Sequence, residues 1–119
     1  MDDISLKKAT ISSYCSMPST EIFADNSIIV VTAYGIITGK PLSDNESDIK
    51  AKAMKGLNDG ILNAYRKKID IADDKPIPGN DGFFTLKDAS IISGSITSNI
   101  DLINIFYDQV IAVTLGNIG

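Results

Sequence analysis

Two hydrophobic periods run along this chain. From Ser43 to Ile69, apolar residues return every three or four positions: Ile49, Ala53, Leu57, Ile61, Ala64 and Tyr65, with Met54 alongside. At ~100° per residue they fall on one stripe, which predicts a single amphipathic helix with that stripe turned to the core. Lys52, Lys55, Asp59 and Arg66 gather on the other side. Ser43-Asp44-Asn45-Glu46 has the spacing of a capping box. Acidic residues at the start (Asp44, Glu46, Asp48) and basic ones at the end (Arg66, Lys67, Lys68) complement the helix dipole.

Elsewhere the pattern is that of strands. Lys8 to Tyr14 alternates loosely and favours β-structure up to the turn at Ser16-Met17-Pro18-Ser19; a short piece, Glu21-Ile22-Phe23, follows. Ile28 to Thr32 is a β-branched run suited to a strand buried on both faces. Ile36 to Thr38 continues it after a bend at Tyr34-Gly35, and Gly39-Lys40-Pro41 ends it. Asp70 to Gly82, with its prolines, glycines and Asp73-Asp74, is loop. Phe83 to Leu86 and Ala89 to Ile96 read as a strand pair bent around Lys87-Asp88. Ile100 to Tyr107 and Val110 to Leu115 give two more around Asp108-Gln109. The expectation is an α+β fold: about seven mainly antiparallel strands, sandwich or barrel-like, with one amphipathic helix inserted near the middle. Ile28 to Pro41 also lies without gaps over Phe83 to Ile96, with Ile36, Ile37 and Gly39 on Ile91, Ile92 and Gly94; this is either a duplication or convergence on β-branched composition.

A chain of 119 residues is the size of one domain spanning 1–119. With 44% hydrophobic and 22% charged residues it has the composition of a globular core and not of a disordered segment. The net charge of −4 and pI of 4.6 argue against nucleic acid, whose phosphates are bound by Lys and Arg. The acidic start Met1-Asp2-Asp3 is unlike a signal peptide. No apolar run reaches the ~18 residues of a membrane span. A cytoplasmic protein without membrane association is expected, so Asn45-Glu46-Ser47 is not read as a glycosylation site.

No residue cluster assigns a chemistry. There is no histidine, which removes the commonest general base and metal ligand. Cys15 has no partner cysteine and no nearby activating group in sequence, so it reads as a small packed thiol. Asp44, Glu46 and Asp48 are explained as helix-start residues, and Asp70, Asp73 and Asp74 lack the spacing of a calcium loop. Thr38-Gly39-Lys40 misses the leading glycine of a phosphate loop, and Pro41 follows where a helix would open. Pro76-Ile77-Pro78-Gly79 is too short for a polyproline ligand. No catalytic, metal or cofactor residue is assigned and no cofactor is expected; a small-molecule ligand is left open. The one candidate contact surface is Lys52, Lys55 and Arg66, with Asp59 among them. Gly56 and Gly60, four apart beside the apolar stripe, weaken the helix but permit close approach of a neighbour.

Function therefore rests on burial. Strands apolar on both faces exceed what one helix covers, so sheet is expected to meet sheet, within a subunit or between subunits. A mean hydropathy of +0.10 favours the latter. The expectation is a non-enzymatic assembly or binding module acting as a homo-oligomer. Thr85 to Ile96, Asp101-Leu102-Ile103-Asn104 and Val110 to Gly116-Asn117 together resemble an Sm-like small β-barrel following a helix, which implies an RNA-binding alternative. The resemblance covers about a third of the chain; Asp88-Ala89 stands where that family has an Asp-Gly turn, and the Arg-Gly pair near the end is missing. A second alternative is a histidine-free enzyme using Asp, Lys or Tyr, recognisable by Tyr34, Tyr65 or Tyr107 in a cleft beside a buried Lys or Asp.

Overall fold

The computed structural model describes residues 4–43, 46–72 and 75–117. Its elements are α1 (Leu6–Ser16), β1 (Ser27–Thr32), β2 (Gly35–Pro41), α2 (Ile49–Lys68), β3 (Phe83–Ser93), β4 (Ile96–Phe106) and β5 (Val110–Gly116), with short 3-10 turns at Met17–Ser19 and Tyr107–Gln109. The strands form one antiparallel sheet in the order β4-β3-β2-β1-β5. The α+β class and a helix inserted near the middle of the chain are as the pattern predicts; that helix follows the first two strands. Sandwich or barrel closure is not: the single sheet stays open, with β4 and β5 as its free edges.

The expectation of one helix also needs correction, because Lys8 to Tyr14 lies in α1 and not in a strand. Ser5 caps it by accepting from Lys8 N–H. Lys8, Ile11 and Cys15 recur at helical spacing on its inner face, where Ile11 is fully buried. A lysine at the first inward position and a serine-rich outer face hid that period. Glu21-Ile22-Phe23 is turn rather than strand.

Five strands replace the expected seven because Lys8 to Tyr14 is helix and the predicted break at Lys87-Asp88 is not a break. β3 runs unbroken through Lys87-Asp88: Asp88 takes a positive φ of 50° while the ladder to β4 keeps its register. On the other side the ladder to β2 shifts between Thr38 and Lys40, so the strand bends without ending. Gly39 lies inside that bend, where a Cβ would meet Leu86 Cβ and Lys87 O at 3.0 Å. The two echoing segments are not structural copies. Ile28–Pro41 spans two strands and their turn, whereas Phe83–Ile96 spans one strand, and Ile36-Ile37 pair directly with Ile92-Ile91. Shared composition between ladder neighbours accounts for the likeness.

Ile28, Val30, Ile37, Leu86, Ala89 and Ile105 of the sheet form the core with Ile11, Tyr107 and Val110, and α1 lies over them with Tyr14 and Cys15. The inner side chains of β1 follow the period of two, Ile28 and Val30 buried and Ile29 and Val31 only partly so. Each fully buried aliphatic contributes about 1.5–3 kcal/mol, and Ile28, Val30 and Leu86 reach that limit.

α2 is where the hydrophobic stripe misleads most. A helix does lie in this span, but Asp48 caps it through Ala51 N–H, so the cap sits five residues after Ser43 and the helix begins at Ile49. Glu46 still accepts from Ser43 N–H, as in a capping box, while its carboxylate is taken up by Lys87 of β3 at 2.6 Å. Asp44 and Asn45 lie outside the described residues. The inward face is Ala51, Asn58, Leu62 and Arg66, whereas Ile49, Leu57 and Ile61 of the predicted stripe are 83%, 64% and 50% exposed. Polar contacts choose this rotation. Asn58 is buried and donates to Thr85 Oγ1 (3.1 Å) and Asn104 Oδ1 (2.9 Å), and Asn104 donates back. Thr85 and Asn104 are cross-strand partners on the side of the β3–β4 ribbon away from Leu86 and Ile103, so α2 and the sheet meet through a side-chain amide network.

Candidate functional site

Three places gather chemistry or unpartnered surface. The first is the outer face of α2. Of the predicted contact cations, Lys52 is exposed, Lys55 pairs with Asp59 at 3.2 Å, and Arg66 turns half-buried to donate to Lys75 O (3.2 Å) and Asn63 Oδ1 (3.4 Å). The helix therefore does not present Lys52, Lys55 and Arg66 as one free basic patch. It presents Ile49, Ala53, Leu57, Ile61 and Ala64 instead, with Tyr65 at the margin donating its hydroxyl to Asp81. That carboxylate raises the phenol's pKa. Gly56 and Gly60 have no atom within 4 Å of where a Cβ would stand, so their smallness serves no packing inside the subunit.

The second is a cleft of about 250 Å³ at the N-terminal end of α1, with Lys8, Ser12, Leu62, Arg66, Phe83 and Tyr107 in its wall. Here a buried lysine does stand beside a tyrosine. Lys8 Nζ donates to Ile77 O and Asp81 O, the latter at 2.6 Å, and lies 5.3 Å from the centre of the Tyr107 ring. Burial lowers the Lys8 pKa, the charge of Asp81 works against that, and Arg66 adds to it. Burial raises the Tyr107 phenol, which approaches Ser12 Oγ at 3.5 Å. An ammonium with two short carbonyl bonds and an aromatic face has its three protons occupied. Lys8 thus ties α1 to the loop of residues 77–82. The Ile4–Gly79 bridge and the bonds of Ser5 to Gly79 O and Asn80 repeat the tie.

The third is the edge formed by β5. Val110–Gly116 carries no charged residue and no proline, and among the described residues no strand pairs with its outer side. Ile111, 69% exposed, is the extra residue of a bulge against β1, where Val31 pairs with Ala112 and Thr32 with Val110. Ala112 and Thr114 then point out to solvent, while Val113 and Leu115 lean on the core. Between this strand and α1 runs a groove bordered by Leu6, Thr10, Ile111 and Val113. Sequence pattern locates the strand but not its edge position, because edge status depends on sheet order.

The remaining candidates are committed elsewhere. Burial pushes the Cys15 thiol up to about 11, the opposite of an activated nucleophile. Asp48 caps α2 and Glu46 holds Lys87; among the described residues no group of carboxylates, Cys or His is arranged for a metal, and Asp73 and Asp74 lie outside them. Lys40 of the Thr38-Gly39-Lys40 segment sits on a strand and donates to Ala24 O and Asn26 O. No described helix is long and apolar enough to cross a membrane. Comparison with protein-family models, curated proteins and solved structures gives no match to this chain.

Proposed function

We propose that this protein is a non-enzymatic assembly module that forms a homo-oligomer by adding β5 of one copy to β4 of the next. The observation that carries this reading is the unguarded edge of β5. Natural sheets defend free edges with lysines, prolines, bulges or a covering element. β5 has a bulge at Ile111, but from Ala112 to Gly116 it carries no lysine or proline and no described strand pairs with its outer side. Pairing β5 with β4 removes both edges of every subunit, and such a head-to-tail contact builds a ring if the rotation closes and a filament if it does not. Strand addition supplies main-chain hydrogen bonds, while Ile111 and Leu6 supply apolar surface beside it.

The RNA-binding alternative draws less support. Of eleven Lys and Arg residues, Lys8, Lys40, Lys55, Lys87 and Arg66 donate to groups of their own chain. The barrel closure that the resemblance implies is not formed within one subunit. The enzyme alternative rests on the Lys8 cleft, whose amine is fully engaged.

Light scattering at tens of micromolar tests the reading. The wild-type chain is expected to run as an oligomer. Ala112→Lys with Thr114→Lys, both at exposed positions, is expected to reduce its mass without unfolding it. A monomeric wild type, or an oligomer indifferent to the two lysines, refutes edge pairing.

A further inference from the structure

We infer that the cleft between the C-terminal end of α1 and the β2–β3 ladder binds the phosphate group of a small organic phosphomonoester, through Lys40 and Lys87. The site does not depend on the strand edges. The two lysines stand directly opposite each other where β2 pairs with β3. Like charges so placed weaken a ladder, and an anion between them removes the repulsion. Both lysines border one cleft of about 510 Å³, and no described carboxylate stands in its wall.

The bulge in β3 brings the second lysine there. Ala89 and Ile91 pack in the core, and a regular period of two would send Lys87 in after them. Asp88, at a positive φ of 50° that non-glycine residues rarely adopt, breaks that period. Leu86 is buried instead, and Lys87 emerges beside Lys40. Counting bonds leaves room for a ligand, because an ammonium has three N–H donors. Lys40 uses two on Ala24 O and Asn26 O, and Lys87 uses two on the Glu46 oxygens, at 2.6 and 3.0 Å. Each keeps one donor for an acceptor in the cleft. Glu46, buried beside Lys87, offsets one of the two charges and leaves the other for the ligand. A phosphate dianion, with three terminal oxygens, accepts from both ammoniums at once in strong, charge-assisted bonds. The cleft falls within the ~300–1,000 Å³ of small-molecule sites, and Pro18, Pro41 and Leu42 give it apolar wall for the esterified organic group.

Calorimetric titration of the full chain at low salt, with inorganic phosphate and with phenyl phosphate, tests the site. Phenyl phosphate is expected to bind about tenfold tighter than the inorganic ion, and added salt to weaken both. Lys40→Gln is expected to weaken binding at least ~10-fold while circular dichroism shows the fold retained. Glu46→Gln separates binding from structure: it is expected to lower stability yet tighten phenyl phosphate, because Lys87 loses its counter-charge. A purely structural Lys87–Glu46 pair would weaken both. Absence of binding by either ligand at millimolar concentration, equal affinity for the two, or binding indifferent to Lys40→Gln overturns the assignment.

Discussion

Cys15 and Glu46 show how environment decides what a side chain does here. With its pKa pushed up to about 11, Cys15 holds on the order of 100-fold less thiolate at pH 8 than an ordinary cysteine. Alkylation by iodoacetamide should slow by a similar factor and recover on denaturation. Glu46 shifts the other way: the Lys87 hydrogen bond holds its carboxyl below the usual range, burial opposes this, and Ser43 N–H adds to it. A carboxylate with a lowered folded pKa stabilises the protein above its unfolded pKa, and that stability is lost as pH falls through the folded value. Glu46→Gln should therefore cost about 1–2 kcal/mol at neutral pH and flatten the acid limb of a chemical-denaturation profile. Gly39 and Gly56 make a matched pair. Gly39→Ala drives a methyl into β3 and should cost about 1–3 kcal/mol, whereas Gly56→Ala should leave thermal stability unchanged or higher. None of this was legible in sequence, since a glycine under a bent strand and one in open space look alike until the neighbours are placed.

At the scale of elements, β1, β2, β5 and the span of α2 follow directly from period and turn chemistry. The rotation of α2 does not. The wheel gives a wide apolar stripe, and the usual inference turns it inward; the structure turns in Asn58 instead, because Thr85 and Asn104 on the ribbon offer it a complete set of partners. A side-chain amide on an otherwise polar face carries no periodic signal. Asn58→Ala should remove those bonds, cost about 1–2 kcal/mol, and lower hydrogen-exchange protection across α2 more than across β1 and β2. An unchanged protection pattern would mean that Ala51, Met54 and Leu62 alone hold the helix. α1 was missed for the converse reason: its inward period includes Lys8, which reads as surface until its three donors are seen to be occupied.

For the whole molecule, the surplus of β-branched surface was readable and its disposal was not. Apolar residues at both parities correctly signal more hydrophobic surface than one layer can hide. In the structure the excess is distributed over exposed positions, among them Ile49, Leu57, Ile96, Phe106 and Ile111, all at least half exposed. Monomeric proteins scatter single apolar residues freely, but contiguous ones on a helix face and along a bare edge mark contact surfaces. The contact residues proposed from charge, Lys52, Lys55 and Arg66, were drawn from the face that the helix turns partly inward. The same wheel, read in reverse, supplies the exposed surface.

The clasp between the first helix and the loop after α2 also constrains the order in which this chain can fold. Lys8 and Ser5 find their acceptors 69 to 74 positions later, at Ile77, Gly79 and Asp81, and β1 gains its second neighbour only when β5 exists. A nascent chain must therefore be almost fully synthesised before its amino-terminal segment can settle, and contacts so distant in sequence form slowly. In pulse-labelled refolding, amides of residues 8–16 and 105–115 should gain protection in one late, shared phase, behind those of the β1–β2 hairpin.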